Sequence, residues 1–85
     1  MKDNIGIYYY PLPENKRVRM YVREKNSEIE FRMKNQDDPH VWNDHGWVPY
    51  SAIQQAQVLY GQRGQFDPER AYDLTIAKML IQNGE

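Results

Sequence analysis

Two histidines and several acidic residues lie close together in the middle of the chain, a composition that can bind a metal ion. His40 and Asp44 are four residues apart, so a helix would place both on one face. His45 would point elsewhere, and no His-Glu-x-x-His pattern is present. Alternatively, Asp38 caps this helix and His45 interacts favourably with its carboxyl end. We favour capping and predict neither a metal site nor a cofactor.

Residues for covalent catalysis are scarce. The chain has no cysteine, which excludes disulfides, thiolate zinc sites and thiol nucleophiles. Its serines, Ser27 and Ser51, are expected in a hairpin turn and at a helix cap, outside any nucleophile-elbow motif. Residues 61–64 lack the Lys-Ser/Thr of a phosphate-binding loop, and arginines neighbour the paired carboxylates of Glu28 and Glu30. We therefore expect a protein that is not an enzyme.

Tyrosine and arginine are concentrated on one face of the predicted sheet, which we call the outer face. Both residue types often anchor protein interfaces, and tyrosine also stacks on nucleic-acid bases. Five positive side chains share this face with the two negative ones of Glu28 and Glu30. The candidate partner-binding residues are Tyr8, Tyr10, Arg17, Arg19, Tyr21, Arg23, Arg32 and Lys34.

Three interpretations of the outer face remain open. It can be a solvated surface with cross-strand stacking and ion pairs, a protein interface, or a nucleic-acid interface. Residues 1–34 carry eight basic and five acidic side chains, whereas residues 35–85 carry three basic and seven acidic ones. Because the whole chain has a net charge of −1 and two glutamates lie in the patch, we rank nucleic acid below a protein partner.

Three segments alternate apolar and polar residues with a period of two, which predicts β-strands. A two-residue turn at residues 25–26 would place Val22 opposite Ile29. The first hairpin would place Ile7 opposite Met20, so both hairpins bury the same face of the middle strand. The predicted strands cover residues 5–10, 17–23 and 28–34.

Helical signals begin after the third strand. Asp38 followed by Pro39 predicts the start of a short helix that runs from about Pro39 to His45. Gly46 is the expected left-handed residue after it, in an ending that brings Trp47 against Trp42.

Two longer helices are predicted in the second half. Ser51 and Gln54 fit a capping box for a helix that ends at Gly61. The pair at residues 67–68 predicts the start of another helix, which continues to about Gln82.

The last helix is apolar on two sides. One side covers the sheet and the other either packs on the preceding helix or pairs with a second copy of the chain. The candidate self-association stripe consists of Leu74, Ala77 and Ile81.

The sequence as a whole predicts a single small domain over residues 1–85. With 40% hydrophobic residues it can fold, and it has no apolar run near the roughly 20 residues that span a bilayer. Strands followed by helices predict an α+β fold: a three-stranded antiparallel meander, then a short helix and two longer helices packed on one sheet face. We expect a cytoplasmic binding domain, most simply a protein-interaction module whose partner is another protein or a second copy, with nucleic-acid binding as the alternative.

Overall fold

The computed structural model of the chain describes residues 1–60 and 72–84. Four strands form one antiparallel sheet in the order β1-β2-β3-β4, which confirms the α+β class and adds a fourth strand to the three that were predicted. The elements in chain order are β1 (Ile7–Tyr9), β2 (Val18–Lys25), β3 (Glu28–Asn35), α1 (His40–His45), β4 (Val48–Pro49), α2 (Tyr50–Tyr60) and α3 (Leu74–Asn83).

Both hairpin registers differ from the prediction by two residues. Val22 lies opposite Ile7 on one side and opposite Phe31 on the other. The second turn consists of Asn26 and Ser27, whose φ angles of 53° and 67° are typical of a type I′ loop that matches strand twist. Because side chains alternate with a period of two, this shift leaves every residue on its predicted face.

The inner face of the sheet forms the main apolar core. Met20 and Phe31 have no exposed surface, and full burial of such side chains stabilises a protein by about 1.5–3 kcal/mol each. Helices α2 and α3 cover this face through Ile53 and Ala77. The buried residues of the core are Tyr9, Met20, Val22, Ile29, Phe31, Ile53 and Ala77.

Tyr9 links the first strand to the last helix. Its hydroxyl oxygen accepts a hydrogen bond from the backbone N–H of Asp73 at 3.0 Å, which joins residues 64 positions apart. Burial raises the pKa of the Tyr9 hydroxyl above its usual value.

Helix α1 contributes to the opposite face, so the predicted arrangement with all helices on one sheet face is not confirmed. The ring of Trp42 lies 5.5 Å from that of Tyr21, and the guanidinium of Arg32 lies 3.8 Å from the Trp42 ring centre. Tyr21 and Arg32 are cross-strand partners on the outer face. A ring from α1 therefore packs on the outer face, which a period-two pattern with charged outer residues does not predict.

The ends of α1 differ from the prediction. Pro39, not Asp38, is the N-cap residue, and no side chain caps this helix. Gly46 has a positive φ of 61°, but its ψ of −162° is extended and not left-handed helical. The predicted contact between Trp42 and Trp47 is nevertheless confirmed, with ring centres 6.3 Å apart.

The predicted capping box of α2 is wrong. Ser51 lies inside the helix, and both its backbone N–H and its hydroxyl donate to the Glu28 carboxylate, at 3.1 and 2.6 Å. These bonds hold the pKa of Glu28 below its usual value. The Glu28 side chain from β3 thus accepts the hydrogen bonds of Ser51 at the start of α2. This contact joins residues that are far apart in sequence.

Helix α3, the last helix of the described residues, begins at Leu74. The Asp73 carboxylate accepts a bond from the N–H of Ile76 at 3.1 Å, which caps the helix. Gly84 ends it in the left-handed conformation, with its N–H bonded to the Ile81 carbonyl oxygen at 3.2 Å. The predicted stop at Gly61 and the predicted start at residues 67–68 lie outside the described residues.

Candidate interaction surface

The structure brings the predicted partner-binding residues together on the outer face. Tyr8, Tyr21 and Arg32 form one cross-strand row, and Arg19 lies opposite Lys34. The remaining predicted residues flank this row: Arg23 lies farther along β2, Tyr10 follows β1, and Arg17 precedes β2.

Five aromatic rings run across this face in a continuous row, which we call the aromatic row. From one end to the other, successive ring centres are 5.7, 5.4, 5.5 and 6.3 Å apart. Three of the four contacts are edge-to-face, a geometry worth about 0.5–1.5 kcal/mol per pair beyond simple burial. The row consists, in order, of Tyr10, Tyr8, Tyr21, Trp42 and Trp47.

Three arginines stack on the aromatic row. The guanidinium of Arg19 lies 4.6 Å from the ring centre of Tyr8, and that of Arg23 lies 4.2 Å from the ring centre of Trp47. Arg32 stacks on Trp42 and also donates two hydrogen bonds to the Trp42 carbonyl oxygen, at 2.9 and 2.6 Å. These guanidinium planes are consequently held in place before any partner binds.

Acidic side chains neutralise most of the positive charge. Arg23 is paired with Glu30 at 2.6 Å, Arg19 with Asp3 at 2.9 Å and Arg17 with Asp37 at 2.8 Å. Asp3 and Asp37 join Glu28 and Glu30 as negative groups, and Lys16, whose Nζ lies 6.0 Å from the Tyr10 ring centre, joins the five positive ones, so two net positive charges remain. The sequence had indicated three net positive charges, because Asp3, Asp37 and Lys16 lie outside the predicted strands and were not counted.

Tyr21 is a supporting residue of the aromatic row. It has no exposed surface, and its hydroxyl donates to the Asp3 carboxylate. Burial and this bond raise the pKa of Tyr21. Burial of Asp3 opposes its ionisation, but bonds from Tyr21 and from the N–H groups of Ile5 and Gly6 outweigh it, so the pKa of Asp3 lies below its usual value. Sequence reasoning missed Asp3, since no local pattern signals a partner 16 or 18 residues away.

The accessible part of the outer face lies at both ends of the aromatic row. Tyr8 and Tyr21 are buried in its middle, whereas Tyr10 and Trp47 are half-buried. The Arg23 side chain is 38% exposed. The half-buried Trp47 and the fixed guanidinium of Arg23 are therefore both partly accessible from outside.

The predicted self-association stripe faces the protein's own core. Ala77 has no exposed surface, and Leu74 and Ile81 are partly buried against the core cluster. On the other side of α3, Met79 is 53% exposed. A second copy of the chain therefore has no access to Ala77 in this structure.

The histidine cluster remains on the surface. His40, Asp44 and His45 are all exposed. Within residues 1–60 and 72–84, no three His, Asp or Glu side chains are grouped so that they could hold a metal ion. In the same part of the chain, no helix has the length and apolar character needed to cross a bilayer.

Comparison with known proteins adds no family: the chain matches no protein-family model, no curated protein and no solved structure.

Proposed function

We propose that the chain is a non-enzymatic protein-interaction module that binds a partner protein through the outer face. The observation that carries this proposal is the Trp47–Arg23 stack. Tryptophan, tyrosine and arginine are the residue types that most often dominate binding energy in protein interfaces. Here the arginine is fixed by the indole ring and by Glu30, so little side-chain entropy is lost on binding.

The charge balance of the outer face favours protein over nucleic acid. Binding to phosphates depends on unneutralised Lys and Arg, and three of the six cations already have acidic partners within 2.9 Å. Base stacking needs open aromatic faces, but Tyr8 is only 8% exposed and Tyr21 is fully buried. A protein partner needs only the half-buried ends of the aromatic row.

Affinity capture from cell extract with matched variants tests the proposal. Arg23→Ala removes the exposed cation of the stack, and Arg17→Ala is the control, because Arg17 is also ion-paired but does not stack on the aromatic row. We expect one protein to be retained by the wild type and by Arg17→Ala and lost with Arg23→Ala, in the presence of nuclease. Equal retention by both variants would contradict the proposal.

Two further measurements separate the alternatives. We expect short single-stranded oligonucleotides to bind no more tightly than about 10⁻⁴ M at physiological salt. A micromolar dissociation constant that Arg19→Glu abolishes without unfolding the protein would instead establish nucleic-acid binding. Sedimentation of the purified chain tests self-association: a dimer that Arg23→Ala dissociates would identify the partner as a second copy.

A further inference from the structure

The amino-terminal segment, residues 1–5, folds back on β1 and covers the edge of β1 that does not pair with β2. Lys2 pairs with Ile7 in an antiparallel bridge, and the N–H of Tyr8 donates to the Met1 carbonyl oxygen at 2.9 Å. The turn between them is closed by a bond from the N–H of Asp3 to the Gly6 carbonyl oxygen, also 2.9 Å long. Residues 1–3 thus occupy the position of an additional strand beside β1, and residues 4–5 lie in the turn.

Asp3 attaches this segment to the outer face. One carboxylate oxygen accepts bonds from Arg19 Nη1, at 2.9 Å, and from the Tyr21 hydroxyl. The Nε atom of Arg19 is buried and has no hydrogen-bond partner among the described residues. Beneath the segment there is therefore a two-donor site for a carboxylate, directly beside a strand edge, and the guanidinium in it has an unused donor.

The other residues of the segment lie at the surface. Met1, Lys2, Asn4 and Ile5 are all exposed, so they bury little apolar surface. Segments with few buried contacts and exposed backbone bonds open at a small cost in free energy. The bonds of the Asp3 carboxylate to Arg19 and Tyr21, together with the backbone bond between Tyr8 and Met1, hold the segment closed.

We propose that residues 1–5 act as a built-in competitor at a peptide-binding site formed by the β1 edge, Arg19 and Tyr21. The partner that fits this site is an extended, acidic segment of another protein, which pairs antiparallel with β1. In the bound peptide, one residue lies opposite Ile7, where Lys2 lies in this structure. The next residue of the peptide has a carboxylate side chain, which takes the place of the Asp3 carboxylate. This inference rests on the proposed protein-interaction function and names the chemistry of the partner.

The two parts of the site, the β1 edge and the carboxylate-binding pair of Arg19 and Tyr21, both indicate that the partner is a peptide. Pairing with the strand edge requires backbone N–H and C=O groups, which phosphate and nucleic-acid chains do not supply. The carboxylate is specified by the positive charge of Arg19 and by the Tyr21 hydroxyl, which already hold a carboxylate in this position. Binding of the partner requires displacement of residues 1–5, which lowers its apparent affinity for the closed protein.

Peptide titration of the full chain tests the inference. The probe is an acetylated, amidated peptide copy of residues 1–5, and binding is followed through the NMR amide signal of Tyr8. We expect the Asp3→Ala protein to bind this peptide at least tenfold more tightly than the wild type. A control peptide with alanine at its third position should bind neither protein. Equal affinity of the wild type and Asp3→Ala, or of the two peptides, would refute the inference.

A reversible lock provides a second test, in which one and the same protein is compared in its oxidised and reduced states. Lys2→Cys with Ile7→Cys, added to Asp3→Ala, places two thiols at directly opposed strand positions, where a disulfide can form. We expect the oxidised protein to bind no peptide and the reduced protein to regain binding. Equal binding in both states would show that the β1 edge is not the site.

The two proposals fail separately. The peptide titration does not involve the Trp47–Arg23 stack, whereas the capture experiment uses Arg23→Ala with residues 1–5 unchanged. If the peptide fails to bind but capture still depends on Arg23, only the inference about the β1 edge is wrong.

Discussion

Replacement of Asp3 with alanine measures how strongly the amino-terminal segment supports the aromatic row. The Asp3 carboxylate accepts four hydrogen bonds, from the Tyr21 hydroxyl, the Arg19 guanidinium and the backbone N–H groups of Ile5 and Gly6. Asp3→Ala removes all four bonds at once. It leaves a hydroxyl without its acceptor on a tyrosine that has no exposed surface.

We expect Asp3→Ala to lower the free energy of unfolding by about 2 kcal/mol. A buried polar group without a partner costs about 1–3 kcal/mol, and water that enters at the partly exposed Asp3 position reduces this cost for the Tyr21 hydroxyl. The half-buried ion pair with Arg19 adds less than about 1 kcal/mol. For a domain of this size, 2 kcal/mol corresponds to a fall in Tm of about 8–16 °C.

Asp37→Ala is the matched control. The Asp37–Arg17 distance of 2.8 Å is nearly the same as the 2.9 Å between Asp3 and Arg19. The side chains of the Asp37 pair are 57% and 60% exposed, whereas those of the Asp3 pair are 26% and 29% exposed. Because exposed ion pairs contribute little, we expect Asp37→Ala to change stability by less than about 0.5 kcal/mol.

Urea denaturation of the wild type and both variants, followed by circular dichroism, measures these differences. A second readout is pH. Because the pKa of Asp3 is lowered in the folded state, its contribution is full above the ordinary carboxyl value of 3.8 and is lost as the pH falls through the folded-state pKa. The stability gap between wild type and Asp3→Ala should therefore narrow in acid. Equal stability losses for Asp3→Ala and Asp37→Ala would refute the reasoning.

Four other perturbations have defined outcomes. Gly46→Val should lower the free energy of unfolding by more than about 1 kcal/mol, because only glycine adopts the backbone conformation of residue 46 without strain. Space for the side chain itself is open, so the strain is the only cost expected, and coincident thermal melts would contradict this. Ser27→Gly should stabilise the protein by about 0.5–1 kcal/mol, because it relieves a positive φ, and a lower Tm would argue against the type I′ turn. Below pH 4.5 the wild type should lose stability more steeply than Glu28→Gln, because hydrogen bonds from Ser51 lower the pKa of Glu28; parallel pH profiles would exclude this cap. Added zinc should leave the Tm unchanged, whereas a saturable increase that His40→Ala abolishes would establish a metal site.

Alternation in the sequence predicts which face each strand residue occupies, but it does not predict register. A turn at residues 25–26 and a turn at Asn26-Ser27 both place Val22 on the inner face. The choice between them depends on which two residues adopt positive φ, and Asn and Ser both do so here. Strand β4 was missed for a related reason: two residues, Val48 and Pro49, are too few to show a period.

The candidate site was predicted as a set of residues but not as a set of contacts. The face shared by Arg19, Tyr21 and Arg32 follows from strand periodicity. Their partners, Asp3 and Trp42, come from a terminal segment and a short helix, whose positions depend on the tertiary fold. The charge count made from the sequence lacked these contacts, and in the structure the outer face carries stacked rings and a largely neutralised set of charges.

The placement of the two tryptophans determines what fluorescence can report about this protein. Trp42 and Trp47 are the chain's only tryptophans, and both lie on the outer face with guanidinium groups 3.8 and 4.2 Å from their ring centres. Indole emission therefore reports on packing at the outer face, whereas far-ultraviolet circular dichroism reports on the secondary structure of the sheet and the helices together. If packing at the outer face is lost before the inner core melts, the two optical signals will give different midpoints.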